Sequence, residues 1–240
     1  MASVIIDGKK LAEEKFEQLK LKVQGLKVKP KLAIVFDPGR PWASQASKVY
    51  VNLKIKKAKE LGIETEVRTD LNTDADGIIV QLPGGENLID KIPLEKDVDG
   101  LREGSRFLPA TVKAILPLIA PGVVVIVGQG KLVGKPLADY LEKQGRKVIR
   151  CDINTRNLKE KTLQGDVLVS ATGVDGLIKA DMVKKGAIVI DCGSPKPEVD
   201  FEKVKEVAGW ITPVPGGVGP LTVISLLENL VEAVKIQTHA

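Results

Sequence analysis

Short apolar runs rich in β-branched residues alternate along the chain with segments whose apolar positions recur every three or four residues. The runs fall at residues 32–36, 64–69, 77–82, 123–127, 147–151, 166–171, 187–191 and 209–212 and predict strands. Helical spacing occupies residues 8–23, 43–61, 111–119, 135–144, 201–207 and 221–234. Strand and helix in alternation is the pattern of an α/β fold, with parallel strands buried between helices. Residues 123–145 restart a strand, a glycine loop and a helix, as the first unit of a nucleotide-binding domain does. The expected chain is two-lobed. An N-terminal α/β domain covers residues 1–118 and is completed by a helix at 220–240 that packs back on it, and a Rossmann-like domain covers 119–219.

With 240 residues, 43% hydrophobic and 28% charged, the chain buries a sizeable core. Aromatic residues make up only 3%, so that core is aliphatic. The net charge of +5 is spread out rather than gathered in an arginine-rich block. Lacking stacking platforms as well, the chain is not expected to bind nucleic acid. No window of about 18 apolar residues occurs, and the N-terminus has no signal-peptide pattern, so a cytoplasmic protein without a membrane partner is expected. Cys151 and Cys192 each end an apolar run and read as buried thiols in a reducing compartment, with no metal-ligand spacing and no metal expected. His239 is the single histidine, which removes Ser-His-Asp triads, paired-histidine metal sites and histidine bases. Acid–base chemistry falls to lysine, tyrosine and carboxylates.

Val127 to Gly134 reads Val-Gly-Gln-Gly-Lys-Leu-Val-Gly, after a strand and before a helix. Glycines there let the backbone approach a pyrophosphate, and the helix N-terminus adds free N–H groups and a positive dipole end. The spacing of Gly128, Gly130 and Gly134 is one residue longer than the usual fingerprint, and an ordinary glycine-rich turn fits it too. Asp152 ends the next strand. An acid there accepts hydrogen bonds from an unphosphorylated ribose, whereas an arginine suits a 2′-phosphate. Arg150 and Arg156 flank it, and a plain strand-end turn is the other reading.

On a wheel of about 100° per residue, Val51, Ile55 and Ala58 define the buried stripe of the helix over 43–61. Lys54 falls on its flank with Tyr50, while Lys48, Lys56 and Lys59 point away. Tyr50 and Lys54 are one turn apart, so phenol and ammonium can meet. Partial burial and nearby Lys57 would both depress the Lys54 pKa, as a proton shuttle requires; a lysine snorkelling from a lysine-rich helix is the alternative. Tyr-x-x-x-Lys is also the short-chain dehydrogenase signature, but there the glycine loop precedes it, and here Tyr50 comes before Gly128. Gln81 is the one polar residue of the run 77–82 and sits at the end where α/β proteins place ligands, or caps the strand. Lys96 to Gly100 is a ligand loop or an Asp-Gly turn. Pro213 to Pro220, with three glycines exposing backbone amides, reads as a ligand-facing loop whose Pro220 starts the last helix.

Seven segments, in order, carry a resemblance: Ser47-Lys-Val-Tyr50-Val-Asn-Leu-Lys54, Gly77-Ile-Ile-Val-Gln81-Leu-Pro83, Lys96-Asp-Val-Asp99-Gly-Leu101, the glycine loop 127–136, Ser170-Ala-Thr-Gly173, Gly186-Ala-Ile-Val-Ile-Asp191-Cys-Gly193 and the stretch 212–222. Together they resemble the bifunctional methylenetetrahydrofolate dehydrogenase/methenyltetrahydrofolate cyclohydrolase family over nearly the whole chain. The resemblance implies a folate-binding catalytic domain beside an NAD(P)-binding one, usually dimerised through the latter. It implies oxidation of 5,10-methylenetetrahydrofolate with NADP and hydrolysis of the methenyl product to 10-formyltetrahydrofolate. By the same resemblance Lys54 is the catalytic lysine, Tyr50 stacks on the folate, Gln81 tunes the lysine and Asp99 binds the pterin. Leu82, Pro215, Gly216 and Gly217 line the substrate, and Gly128, Gln129, Gly130, Val133, Gly134, Asp152, Thr172, Gly173 and Ser194 the cofactor.

The chain departs from the family pattern at several places. Gly128-Gln129-Gly130 stands where Gly-Arg-Ser commonly grips the 2′-phosphate, which leaves NAD open and gives weight to Asp152 against Arg150, Arg156 and Lys131. Pro109-Ala-Thr-Val112 replaces Pro-Cys-Thr-Pro, and Gly84-Gly85 replaces a second Leu-Pro. The stretches around Thr69 to Leu71, where relatives insert a helix, and Leu101 to Pro109 are shortened. A monofunctional dehydrogenase and a non-catalytic nucleotide- or folate-binding protein are the competing expectations.

Overall fold

A computed structural model describes residues 3–40 and 44–239; Ala43, the expected first residue of the second helix, lies outside them. Among the described residues the strands are β1 (Val4–Ile5), β2 (Lys31–Val35), β3 (Glu64–Arg68), β4 (Gly77–Val80), β5 (Val124–Val127), β6 (Val148–Cys151), β7 (Val167–Ser170), β8 (Ile188–Asp191) and β9 (Trp210–Ile211). The α-helices are α1 (Gly8–Gln24), α2 (Gln45–Glu60), α3 (Glu86–Ile89), α4 (Ala110–Ile115), α5 (Gly134–Lys143), α6 (Leu158–Thr162), α7 (Phe201–Val204) and α8 (Val218–His239). No helix among the described residues is long and apolar enough to cross a membrane. Two compact units result: the residues up to Ala12 with Thr111–Thr222, and Glu13–Ala110 with the residues from Val223 onward.

The first unit holds a six-stranded sheet in the order β1-β9-β8-β7-β5-β6, parallel throughout. Its central strands are buried on both faces, so they alternate between two cores rather than between core and water. Val125, Val127, Leu168 and Val189 face one core, and Val124, Ile126, Val167 and Val169 join Leu137, Ala138 and Leu141 of α5 in the other. The chain runs from β5 to β6 on one side and returns past β5 to β7 on the other. That reversal is the switch point at which doubly wound sheets bind ligands.

The expected boundaries at 118/119 and 219/220 shift for physical reasons. β1, absent from the sequence reading, adds to the sheet edge through Val4 N to Gly209 O and Ile6 N to Ile211 O, both 2.8 Å. Val112 and Ile115 of α4 pack in the same core as Val124 and Ile126. The last helix begins at Val218, so Pro220 is its third residue rather than its first.

The second unit holds a three-stranded parallel sheet in the order β3-β2-β4. β3 and β4 lie on either side of β2, yet only residues 69–76 join them. A crossover of this kind usually takes a dozen residues or more, with a helix. By the register Arg68 lies level with Val35 and Gly77 with Leu32, so the connection runs back three residues and across two strand spacings, roughly 14 Å, and it does so without a helix. Side chains hold it there. Lys31 N donates to Asp76 Oδ2 at 2.7 Å, Asn72 N to Asp70 Oδ1 at 3.0 Å, and Lys31 pairs with Glu66 and Asp74. Leu71, with Leu88 and Ile89 of α3, covers Ala33, Val35, Ile78 and Val80 in place of a crossover helix.

From Val223 to Val234 α8 is buried except along a polar stripe that begins with Glu228 and Glu232 and continues at Lys235, as an amphipathic helix packs. Asn229, buried there, donates to Val98 O and Leu108 O at 3.0 and 3.1 Å. Gln237 donates to Asp76 O at 2.9 Å and Glu95 O at 3.1 Å.

Candidate active site

In the three-stranded unit, α2 is capped by Ser44, whose hydroxyl accepts from Ser47 N at 3.1 Å, and carries Tyr50 and Lys54. Its buried stripe is Ser47, Val51, Lys54 and Ala58. The lysine therefore lies within the stripe and not on its flank, while Ile55, expected inside, is only half-buried. Lys54 is 8% exposed and its Nζ donates to Gln81 Oε1 at 2.8 Å. Gln81 Nε2 donates to Leu82 O at 2.8 Å, which turns the amide oxygen toward the lysine.

Burial pushes the Lys54 pKa below its ordinary value of 10.5, opposed by the Asp99 carboxylate. Lys57, the expected second cause, takes no part. Its ammonium pairs with Glu60 at 2.7 Å and lies over the Phe16 ring, 4.7 Å from the centroid. Asp99 is pushed up by burial and by Asp97, and held back by Lys54. The loop bearing Asp99 is fixed by Asp97, which is fully buried and accepts from Gly100 N at 3.1 Å and Arg102 N at 2.9 Å. Gly100 has φ +70°, and a Cβ there would meet Leu108 backbone at 2.6 Å.

In the six-stranded unit, every expected cofactor residue follows the C-terminal end of a parallel strand: Gly128 to Gly134 after β5, Asp152 after β6, Thr172 and Gly173 after β7, and Ser194 after β8. Pro215, Gly216 and Gly217 follow β9. The three loop glycines divide the work. A Cβ on Gly128 would meet Ala171 O at 2.1 Å, and one on Gly134 would meet Gly128 O at 1.8 Å, so both serve close packing. A Cβ on Gly130 would meet nothing within 4 Å, which leaves open space above the backbone where a pyrophosphate fits. Val133, at the N-cap of α5, brings no side-chain oxygen to the helix end. Gln129 Nε2 folds back on Ile126 O and Gly128 O, both at 3.2 Å, and its Oε1 is buried without a partner. Donors and open space together fit a dinucleotide.

Asp152 Oδ1 accepts from Asn154 N at 2.9 Å and Thr155 Oγ1 at 3.1 Å, and Oδ2 has no hydrogen bond among the described residues. Arg150 points to the α5 face and pairs with Asp139 at 2.7 Å and Glu142 at 2.6 Å. These pairs raise its pKa further and occupy its guanidinium.

Residues 111–238 match the family model described as tetrahydrofolate dehydrogenase/cyclohydrolase, NAD(P)-binding domain. The chain belongs to this family. It is 40% identical over 280 residues to a bifunctional protein FolD of Lactobacillus delbrueckii subsp. bulgaricus, covering 97% of this chain and 98% of that one. A FolD of Bacillus pumilus is 38% identical over 283 residues, covering 98% and 99%. The crystal structure of the bifunctional FolD of Campylobacter jejuni superposes with a TM-score of 0.86 at 33% identity, covering 98% of this chain and 100% of that one. A Trypanosoma brucei FolD, complexed with NADP cofactor and inhibitor, gives 0.88 at 27% identity with full coverage of both chains. Alignments of 280 positions against 240 residues mean that these family members carry segments absent here.

Sequence reasoning missed two buried acids, one in each unit. Asp97 was visible only as part of an Asp-Gly turn. Glu198, 3% exposed, accepts four hydrogen bonds from Ser170, Thr172 and Gly173. A lone acid in a loop of prolines and lysines carries no local signal, because its partners lie 25 to 28 residues away.

Proposed function

We propose that this chain oxidises 5,10-methylenetetrahydrofolate and hydrolyses the methenyl product to 10-formyltetrahydrofolate, with Lys54 as the proton-transfer group. The observation that carries the reading is a buried lysine held at 2.8 Å by a glutamine whose other end is fixed. The methenyl form is a cation, which an ammonium would repel and a neutral amine tolerates. Burial favours the neutral amine, so Lys54 takes a proton from water as the water oxygen attacks the one-carbon centre, and that proton is returned to the ring nitrogen N5 as the bond between N5 and the one-carbon centre breaks. Gln81 Oε1 accepts one amine N–H and thereby sets the direction of the lone pair. Asp99 accepts from the pterin N–H groups, and Tyr50 stacks on the ring. A bound nicotinamide dinucleotide supplies the hydride acceptor. The Gly128–Gly134 loop and the start of α5 hold its pyrophosphate, with Val133, Thr172, Gly173 and Ser194 around it, and Pro215 to Gly217 bind the folate.

The resemblance implies NADP, but the ribose end of this chain favours NAD. Gln129 brings no charge, Arg150 is occupied by Asp139 and Glu142, and Asp152 offers a free carboxylate oxygen. Lys131 and Arg156, exposed and outside any ion pair among the described residues, are the cations a 2′-phosphate would use. The resemblance further implies a homodimer in the cytoplasm.

One assay tests the reading: reduction of NAD and of NADP with methylenetetrahydrofolate, and loss of methenyl absorbance, on one preparation. Both activities are expected, with kcat/KM for NAD at least about tenfold above NADP and the advantage lost in Asp152→Ala. Reduction without hydrolysis identifies a monofunctional dehydrogenase, neither activity a binding protein, and a preference for NADP overturns the role of Asp152.

A further inference from the structure

The two acids buried deepest in the six-stranded unit play no part in the chemistry above, and both sit among its ligand loops. Oε2 of Glu198 accepts from Ser170 Oγ at 2.5 Å, Thr172 N at 2.7 Å and Thr172 Oγ1 at 2.8 Å, while Oε1 accepts from Gly173 N at 2.7 Å. Behind it, Asp191 accepts from Glu198 N at 3.0 Å, Val199 N at 3.0 Å and Gly193 N at 2.8 Å. Asp191 N in turn donates to Thr212 Oγ1 at 2.8 Å. The two carboxylates thus tie the loop after β7 to the loop after β8, and the Asp191 N–H adds the residue that follows β9. Ser170 is fully buried, so its hydroxyl serves Glu198 and no ligand.

We propose that Glu198 is a positioning residue for the dinucleotide: it fixes the Thr172–Gly173 backbone in the conformation the cofactor binds. The inference rests on the reading of Thr172 and Gly173 as cofactor contacts. Donors converge on both oxygens of Glu198, two of them backbone N–H groups that cannot turn away. A glutamine has the same size but one acceptor oxygen. Placed at Oε2, that oxygen keeps three donors and sets an NH₂ against the N–H of Gly173; turned round, it sets the NH₂ against the N–H of Thr172. Either way the loop loses its register while the fold keeps its volume. Backbone misplacement of about 1 Å at a ligand site is enough to cost orders of magnitude in function.

The test compares Glu198→Gln with wild type and with Asp166→Asn. Asp166 accepts from Val123 N at 2.8 Å and pairs with Lys184 at the opposite end of the sheet. Dissociation constants for NAD and NADP are measured by calorimetry on the full chain, with methenyl hydrolysis and thermal melting on the same samples. The expected result is a folded E198Q whose constant for the preferred dinucleotide rises at least tenfold, with hydrolysis within twofold of wild type and D166N unaffected in binding. A folded E198Q that binds within twofold of wild type overturns the proposal, as does an equal loss in D166N. If E198Q fails to fold, Ser170→Ala removes one donor and decides. A threefold or larger rise in the constant supports the role, and no change overturns it. Wild type that binds neither dinucleotide refutes the positioning role itself. Wild type that binds but does not reduce refutes the dehydrogenase reading alone, and the E198Q shift still reports on Glu198.

Discussion

The two units bury charge in opposite ways. In the six-stranded unit, Asp191 and Glu198 are wrapped in donors, three on one and four on the other, five of the seven from backbone. In the three-stranded unit, Lys54 has one hydrogen-bond acceptor among the described residues, the neutral Gln81, and the counter-charge that acts on it, Asp99, is itself pushed toward the neutral form. A buried ion with a complete set of partners is scaffold: removing it leaves orphaned groups, and keeping it changes nothing chemically. A buried ion with an incomplete set is held close to losing its charge, which is what a proton shuttle requires.

The strongest way to break this contrast is Lys54→Met. Methenyl hydrolysis should fall by about 10²- to 10⁴-fold. The fold should gain roughly 1 to 2 kcal/mol at neutral pH, since an under-partnered ion is replaced by an apolar chain of similar length. Hydrolysis retained within twofold would remove Lys54 from the mechanism, and a large loss of stability would place it among the scaffold charges.

The counterpart is Asp191→Ala, which leaves three backbone N–H groups without an acceptor. About 3 kcal/mol of stability should be lost in urea unfolding. A loss under about 1 kcal/mol would erase the distinction between the two kinds of buried charge.

The pH dependence sharpens it further. Because the folded pKa of Lys54 lies below 10.5, the unfolded chain binds more protons between the two values, and stability rises with pH through that window. Hydrolysis should rise on the limb just below that window, about tenfold per pH unit up to the folded pKa, and level off above it, since the neutral amine is the active form. K54M should flatten both, and a stability curve unchanged by the substitution would contradict the depressed pKa. The smallest effect concerns the crossover. Leu71→Ala should cost about 1 kcal/mol, read from the urea midpoint, because Leu71 is only half-buried on Ala33, Val35 and Ile78.

How much of this was legible depended on range. The glycine loop and the Tyr50–Lys54 pair announce themselves within one turn of chain, and the long alternation of strands and helices gave the α/β class. The wheel put Lys54 near the core but ranked Ile55 above it, since residue type decides such a ranking and the actual packing of α2 does not enter. β1, two residues long and exposed, has no periodicity to detect and exists only because β9 offers an edge. Glu198 and Asp97 were invisible for the same reason, as both are defined by donors that the fold brings to them. Arg150 was named as a phosphate partner from its position, and the partners that occupy it lie 8 and 11 residues back on α5.

The crossover at residues 69–76 has a consequence for how the family varies in length. The entropy of closing a flexible loop grows only with the logarithm of its size, by about 0.6 kcal/mol for each doubling. Residues can therefore enter or leave this segment at little thermodynamic cost, provided something apolar still covers β2 and β4. Here Leu71, Leu88 and Ile89 do that work, and the short connection is as serviceable a closure as a helix would be.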